Sequence, residues 1–196
     1  KKCVCLCITK DKVYENNDDN KACKEEDKLG GYDPYSASKA AAEIIISSYI
    51  NSFFNDGKYH IHQKSISSVR AGNVIGGGDF AKDRIIPDII HSLNHNIEIV
   101  LRNPHATRPW QHVIEPLSAY LLLASKMFEH PQKYNTSYNI GPQPSDVLSV
   151  EALTNIAIKT AQKGSVLIAE NKDKPHEATT LMLDISKIKN DLNWQP

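Results

Sequence analysis

Tyr35 and Lys39 stand four residues apart in the segment YDPYSASKAAAE. On a helix, positions i and i+4 share one face, so the phenol and the ammonium would point into the same space. A fixed cation beside a phenol favours its ionised form. A phenol tuned in this way takes a proton from an alcohol and returns it. That is the proton half of a hydride transfer at a sugar or alcohol carbon. The spacing alone is ordinary on a solvated helix face, so neighbouring residues decide the matter. Asp11 and Lys12 follow the apolar run CVCLCIT. In an open α/β sheet, ligands sit beyond the carboxyl ends of the strands. Asp11 and Lys12 are therefore expected in the pocket of Tyr35 and Lys39, where a carboxyl and an amine beside the Tyr–Lys pair make an acid/base set.

The elements that must position these groups follow from the hydrophobic pattern. CVCLCIT reads as a buried parallel strand. Asp33 and Pro34 supply an N-cap and a first-turn proline for a helix that runs to about Asn55. Ala42, Ile46, Tyr49, Ile50 and Phe53 fall on one stripe of it, suited to packing on a sheet and distinct from the Tyr35/Lys39 face. Residues 15–31 read as a loop and Ser65 to Arg70 as the next strand. Helices are expected over Ile85–Asn94, Val113–Phe128, Ser149–Gln162 and Ile185–Leu192, with strands at Ile97–Leu101, Ser137–Ile140 and Val166–Ala169. Strand and helix alternating at this spacing predict an α/β fold with parallel pairing. Gly76, Gly77 and Gly78 do not fit G-x-G-x-x-G and read as a loop near a ligand, not a dinucleotide fingerprint.

Composition narrows the class. The chain has 196 residues, 40% hydrophobic and 23% charged, enough for one good core or two small ones. Lys+Arg and Asp+Glu are both 23, so no basic excess argues for nucleic acid. No apolar run approaches the roughly 20 residues that span a bilayer, and KKCVCLCITKDK lacks the features of a secretory signal. Of four cysteines, Cys3, Cys5 and Cys7 occupy alternate positions and Cys23 stands apart. A metal-binding CxCxC is conceivable, but a buried strand in a reducing compartment is the plainer reading, and it points to the cytoplasm.

VYEN, GGYDPYSASKAAAE, SVRAGNVIGGGDFAKDRIIPD, RNPHATRPWQHVIEPLSAY, YNIGP and PHEATTLMLDISK together resemble the extended short-chain dehydrogenase/reductases. Within that family they are most similar to the CDP-glucose 4,6-dehydratases. The resemblance covers almost the whole chain. It implies NAD as cofactor and a nucleotide sugar, CDP-glucose, as substrate. It further implies that Tyr35 takes the hexose 4-hydroxyl proton and that Lys39 supports the phenolate and binds the nicotinamide ribose. Asp11 then protonates the departing 6-hydroxyl, and Lys12 stands where related dTDP-glucose enzymes carry a glutamate base. A lysine base must be neutral, a form that burial or nearby positive charge favours. By the same resemblance, Asn73 and Arg108 hold the sugar diphosphate, and Arg84, His176 and Glu177 approach the nucleotide. A guanidinium suits bidentate phosphate binding. The implied assembly is a homodimer built on a helical bundle that includes the helix of Tyr35 and Lys39.

The implied architecture is the carboxy-terminal part of a Rossmann-type parallel sheet plus a smaller mixed α/β sugar-nucleotide domain. Residues 1–72 are assigned to the first, with 113–130 packing back on it, and 73–112 and 131–196 mainly to the second. The family's glycine-rich fingerprint and first four βα units are expected before Lys1, so these residues alone are expected to bind NAD poorly. Lys10 replaces the family's serine or threonine, whose hydroxyl bonds the sugar 4-OH; lysine has no acceptor in its charged form. The stretch from Asn17 to Leu29 also departs from the family pattern. Two alternatives stay open: a sugar-nucleotide epimerase or reductase on the same fold, and a catalytically silent sugar-nucleotide-binding protein.

Overall fold

A computed structural model describes residues 1–15, 21–169 and 182–196. In chain order the elements are β1 (Cys3–Lys10), α1 (Pro34–Phe53), α2 (Tyr59–His62), β2 (Lys64–Ala71), β3 (Asn73–Ile75) and α3 (Ile85–His95). They continue through β4 (Ile99–Leu101), β5 (Thr107–Arg108), β6 (Trp110–His112), α4 (Ile114–Glu129) and β7 (Tyr138–Ile140). The chain closes with β8 (Leu148–Ser149), α5 (Val150–Ala161), β9 (Val166–Ile168) and α6 (Ser186–Leu192). The expected α/β class is the observed one.

The main sheet runs β1-β2-β7, all parallel. Its two faces follow the strand alternation. Val4 and Leu6 of β1 and Val69 and Ala71 of β2 join Ala119, Leu123 and Met127 of α4 and Ile188 and Leu192 of α6 in one core. The opposite face carries Thr9, Ser68 and Arg70, which meet Glu43 of α1. Within 131–196, β7 thus joins the first sheet and α6 packs on its core, while β8, α5 and β9 build elsewhere. A second core gathers Ile89 and Leu93 of α3 with Ile99 and Leu101 of β4, and Ala157, Ile158 and Val166 pack against it. There β4 pairs parallel with β9.

Two expectations are corrected. The Cys3/Cys5/Cys7 strand is not buried: β1 lies at the sheet edge, and Cys3 and Cys5 are exposed. Cys7 is half-buried, and that burial, followed by the nearby Cys5 and Glu43, pushes its thiol up to about 11. Of the expected apolar stripe of α1, Ala42, Ile46 and Ile50 are half-buried, but Tyr49 and Phe53 are not covered. Ser36, Ala40 and Glu43 are its buried residues, whereas Ile44, Ile45, Tyr49 and Phe53 are exposed. A buried ion pair, rather than an apolar stripe, seats this helix. Short strands at Asn73–Ile75, Thr107–Arg108, Trp110–His112 and Leu148–Ser149 appear where sequence periodicity has too few residues to register.

Candidate active site

The helix that carries Tyr35 and Lys39 begins sharply. Asp33 accepts hydrogen bonds from the Tyr35 and Ser36 amides at 2.9 and 3.0 Å and from the Ser36 hydroxyl at 2.6 Å. The Ser36 hydroxyl and amide hold the Asp33 carboxyl below the usual range. Gly31 lies against this first turn: a Cβ there would sit 2.2 Å from the Ala37 amide nitrogen. Tyr35 is 49% exposed, and the Lys39 ammonium lies 5.7 Å from its ring centroid. Eight residues beyond Tyr35 on the same stripe, Glu43 pairs with Arg70 at 2.8 Å.

At the carboxyl end of β1 the chain turns through a single 3-10 turn, Asp11–Val13. Lys10 donates to the Gly72 carbonyl at 2.7 Å and lies 3.7 Å from Asp11 Oδ1. Asp11 is fully buried, and among the described residues neither of its carboxylate oxygens has a well-formed hydrogen bond, the Lys12 amide being a neighbour that favours its charge. Burial pushes the Asp11 carboxyl above its ordinary range, against the opposing pull of Lys10, Lys12 and Arg108. An acid so placed keeps its proton to higher pH and can deliver it.

β2 continues through Gly72 into β3. A Cβ at Gly72 would stand 2.6 Å from Pro109 Cγ, so only glycine lets the chain pass there. That passage sets Asn73 in register with Trp110. Trp110 donates its indole N–H to the Leu148 carbonyl at 3.2 Å, and the buried Arg108 donates to the Thr107 carbonyl at 2.8 Å.

These groups surround one cavity of about 910 Å³. Lys12, Tyr35, Asn73, Arg84 and Arg108 all line it, as do Lys10 and the Gly76–Gly78 loop. Asp11 lies buried behind the wall, and the half-buried Lys39 stands outside the lining. His176 and Glu177 lie outside the described residues. Lys82, Asp79 and Asp88 also line the cavity, as do His91 and His95, none of which the motifs single out. The signal for the two histidines was present: they are four apart on α3, whose Ile89 and Leu93 face the second core. Lining cations (Lys10, Lys12, Lys82, Arg84, Arg108) outnumber lining carboxylates (Asp79, Asp88), which suits an anionic ligand.

Comparison with solved structures places the fold among the Rossmann-type sugar-nucleotide dehydratases and epimerases. The dTDP-glucose 4,6-dehydratase of Bacillus anthracis in complex with NAD superposes with a TM-score of 0.80 at 20% identity, over 97% of this chain and 56% of that one. The UDP-N-acetylglucosamine 4-epimerase of Methanobrevibacter ruminantium superposes with a TM-score of 0.81 at 20% identity, over 98% of this chain and 57% of that one. Residues 1–196 match the family model described as GDP-mannose 4,6 dehydratase, and the chain belongs to that family. A curated CDP-glucose 4,6-dehydratase of Salmonella typhimurium is 43% identical over 189 residues, 96% of this chain and 53% of that protein. The chain thus spans about half the length of that relative.

Proposed function

We propose that this chain carries the nucleotide-sugar cavity and the acid/base groups of a CDP-glucose 4,6-dehydratase, with NAD as its cofactor. The observation that carries the reading is the convergence on one cavity of Tyr35, Lys12, Asn73 and Arg108, with the buried acid Asp11 between the lining residues Lys10 and Lys12 in sequence. The residues present fit the nicotinamide end of NAD: Tyr35 stands at the cavity and Lys39 within reach of its ring. The pyrophosphate end calls for a glycine-rich turn at a helix N-terminus. Gly76–Gly78 does not supply one, because the run follows the short β3 and lacks the required spacing.

NAD, when bound, supplies the hydride acceptor at C4 of the hexose and the hydride donor at C6. The chain's own residues do the rest. Asn73 and Arg108 hold the diphosphate and fix the sugar against β1, and Arg84 approaches the nucleotide. Tyr35, as the phenolate that Lys39 supports, takes the proton of the 4-hydroxyl and becomes the neutral phenol. Lys12 removes the C5 proton, made acidic by the neighbouring ketone. Asp11 protonates the departing 6-hydroxyl, which leaves as water. The raised Asp11 carboxyl supports the acid role, since burial favours the proton-bearing form that a donor needs. The exposed Ile44, Ile45, Tyr49 and Phe53 on α1 suit a helix that packs against a second copy of the chain.

The test is a chimera in which this chain replaces the matching part of the Salmonella relative. With NAD and CDP-glucose it is expected to form a 4-keto-6-deoxy product, read by its absorbance in alkali. Lys12→Met should lower turnover about 100-fold without loss of CDP-glucose binding. A chimera that binds both NAD and CDP-glucose yet forms only a 4-epimer, or nothing, overturns the reading.

A further inference from the structure

His91 and His95 face the cavity from α3, one helical turn apart. Their rings lie with centroids 4.2 Å apart and planes inclined by 34°. The ring nitrogen Nδ1 of His95 is 2.8 Å from the His91 carbonyl oxygen. A carbonyl oxygen only accepts, so Nδ1 carries the proton and Nε2 keeps its lone pair. Backbone bonds of this kind fix the tautomer and aim of metal-ligating histidines. Two histidines at i and i+4 present their nitrogens to one point beside a helix, the spacing by which helical zinc sites take two of their ligands. Both side chains are exposed, so an ion can reach them.

We propose that His91 and His95 form a two-nitrogen site for a divalent transition-metal ion, zinc or copper, on the wall of the cavity. Among the described residues no group of three or more His, Cys, Asp or Glu side chains gathers as a closed metal cage. The site is therefore open: two imidazoles hold the ion, and its other positions go to water or to an oxygen of whatever fills the cavity. Imidazole nitrogens select borderline ions over magnesium and calcium, and copper binds more tightly than zinc. The ion would add positive charge to a wall that already carries Arg84 and Lys82, and so would strengthen retention of an anionic ligand. The site does not depend on the dehydratase reading, and its test requires no turnover.

The exposed Cys3 and Cys5 would compete for the ion, so the four cysteines are first replaced by serine. Calorimetric titration with zinc, and separately with copper, is expected to show one ion per chain, with magnesium showing none. His91→Ala and His95→Ala should each weaken binding about tenfold or more. In electron paramagnetic resonance, bound copper should show two coupled nitrogens in the parent chain and one in either variant. This readout serves equally on the native-cysteine chain if the serine replacements unfold it. No zinc or copper binding, or binding and nitrogen coupling unchanged by both substitutions, overturns the proposal.

Discussion

Replacing Glu43 with glutamine isolates the charge that seats the helix bearing Tyr35 and Lys39. Glu43 and Arg70 side chains are 3% and 4% exposed and meet at 2.8 Å. Glu43 also accepts from Thr9 at 2.5 Å and from Ser68 at 2.8 Å. Glutamine keeps the shape but, among the described residues, leaves the Arg70 cation hydrogen-bonded to neutral groups (the Tyr14 hydroxyl, the Glu25 carbonyl and the Ser137 hydroxyl), with the Glu25 carboxylate as its remaining charged neighbour. Removing one partner of a buried pair costs about 3–5 kcal/mol. At this chain length the lower figure corresponds to a fall in Tm of about 6–12 °C. The pH dependence follows from the direction of the Glu43 shift. Burial opposes ionisation most strongly, but hydrogen bonds from Arg70, Thr9 and Ser68 and the Arg70 charge outweigh it and hold the carboxyl below its usual range. Its contribution is therefore full above the unfolded value of about 4.3 and is lost as pH falls through the folded value. Urea unfolding followed by circular dichroism should give a gap of about 3 kcal/mol between wild type and Glu43→Gln at pH 7, closing in acid. The double variant Glu43→Met, Arg70→Met should recover most of the loss. A gap under about 1 kcal/mol at neutral pH, or one that widens in acid, refutes this account of how α1 is held.

Asp11→Asn tests the opposite case. Because burial raises the Asp11 carboxyl, its ionised form penalises the folded state near neutrality. The substitution should stabilise the chain at pH 7, with the gain vanishing in acid below the unfolded value of about 3.9. Turnover of the chimera should fall by about 10²- to 10⁴-fold, as expected for loss of a general acid. Gly31→Ala should destabilise by about 1–3 kcal/mol in thermal unfolding, since its methyl would meet the backbone of the first turn of α1. Lys10→Ser restores the hydroxyl that the family pattern carries and removes the ammonium from the cavity wall. Chimera turnover should rise with it, and an unchanged rate would show that the bond to Gly72 already holds the lysine clear of the sugar.

The parts of the fold legible in the sequence were those with long, regular patterns. The cap at Asp33-Pro34 located α1 to within two residues, and the long apolar run from Val113 located α4. Two- and three-residue strands such as Thr107–Arg108 were not legible, because pairing across the chain defines them and local pattern does not. The α1 stripe was misread for a physical reason: hydrophobicity predicts burial of Tyr49 and Phe53, but the Glu43–Arg70 pair and its hydroxyl partners decide which face meets the sheet. For the site, type and spacing singled out Tyr35 and Lys12, and the family resemblance added Asn73, Arg84 and Arg108; all five line the cavity. That Asp11 would be fully buried, and that Lys10 would reach back to Gly72, depend on how β1 ends against β2. His91 and His95 look like ordinary polar positions of an amphipathic helix until α3 is seen to wall the cavity.

The most direct test of the central claim is a calorimetric titration of this chain with CDP-glucose, with dTDP-glucose as the control. The account predicts saturable binding of CDP-glucose, at least about tenfold tighter than dTDP-glucose, corresponding to about 1.4 kcal/mol of discrimination. A folded chain that binds neither nucleotide sugar, or that prefers the thymidine compound, contradicts it.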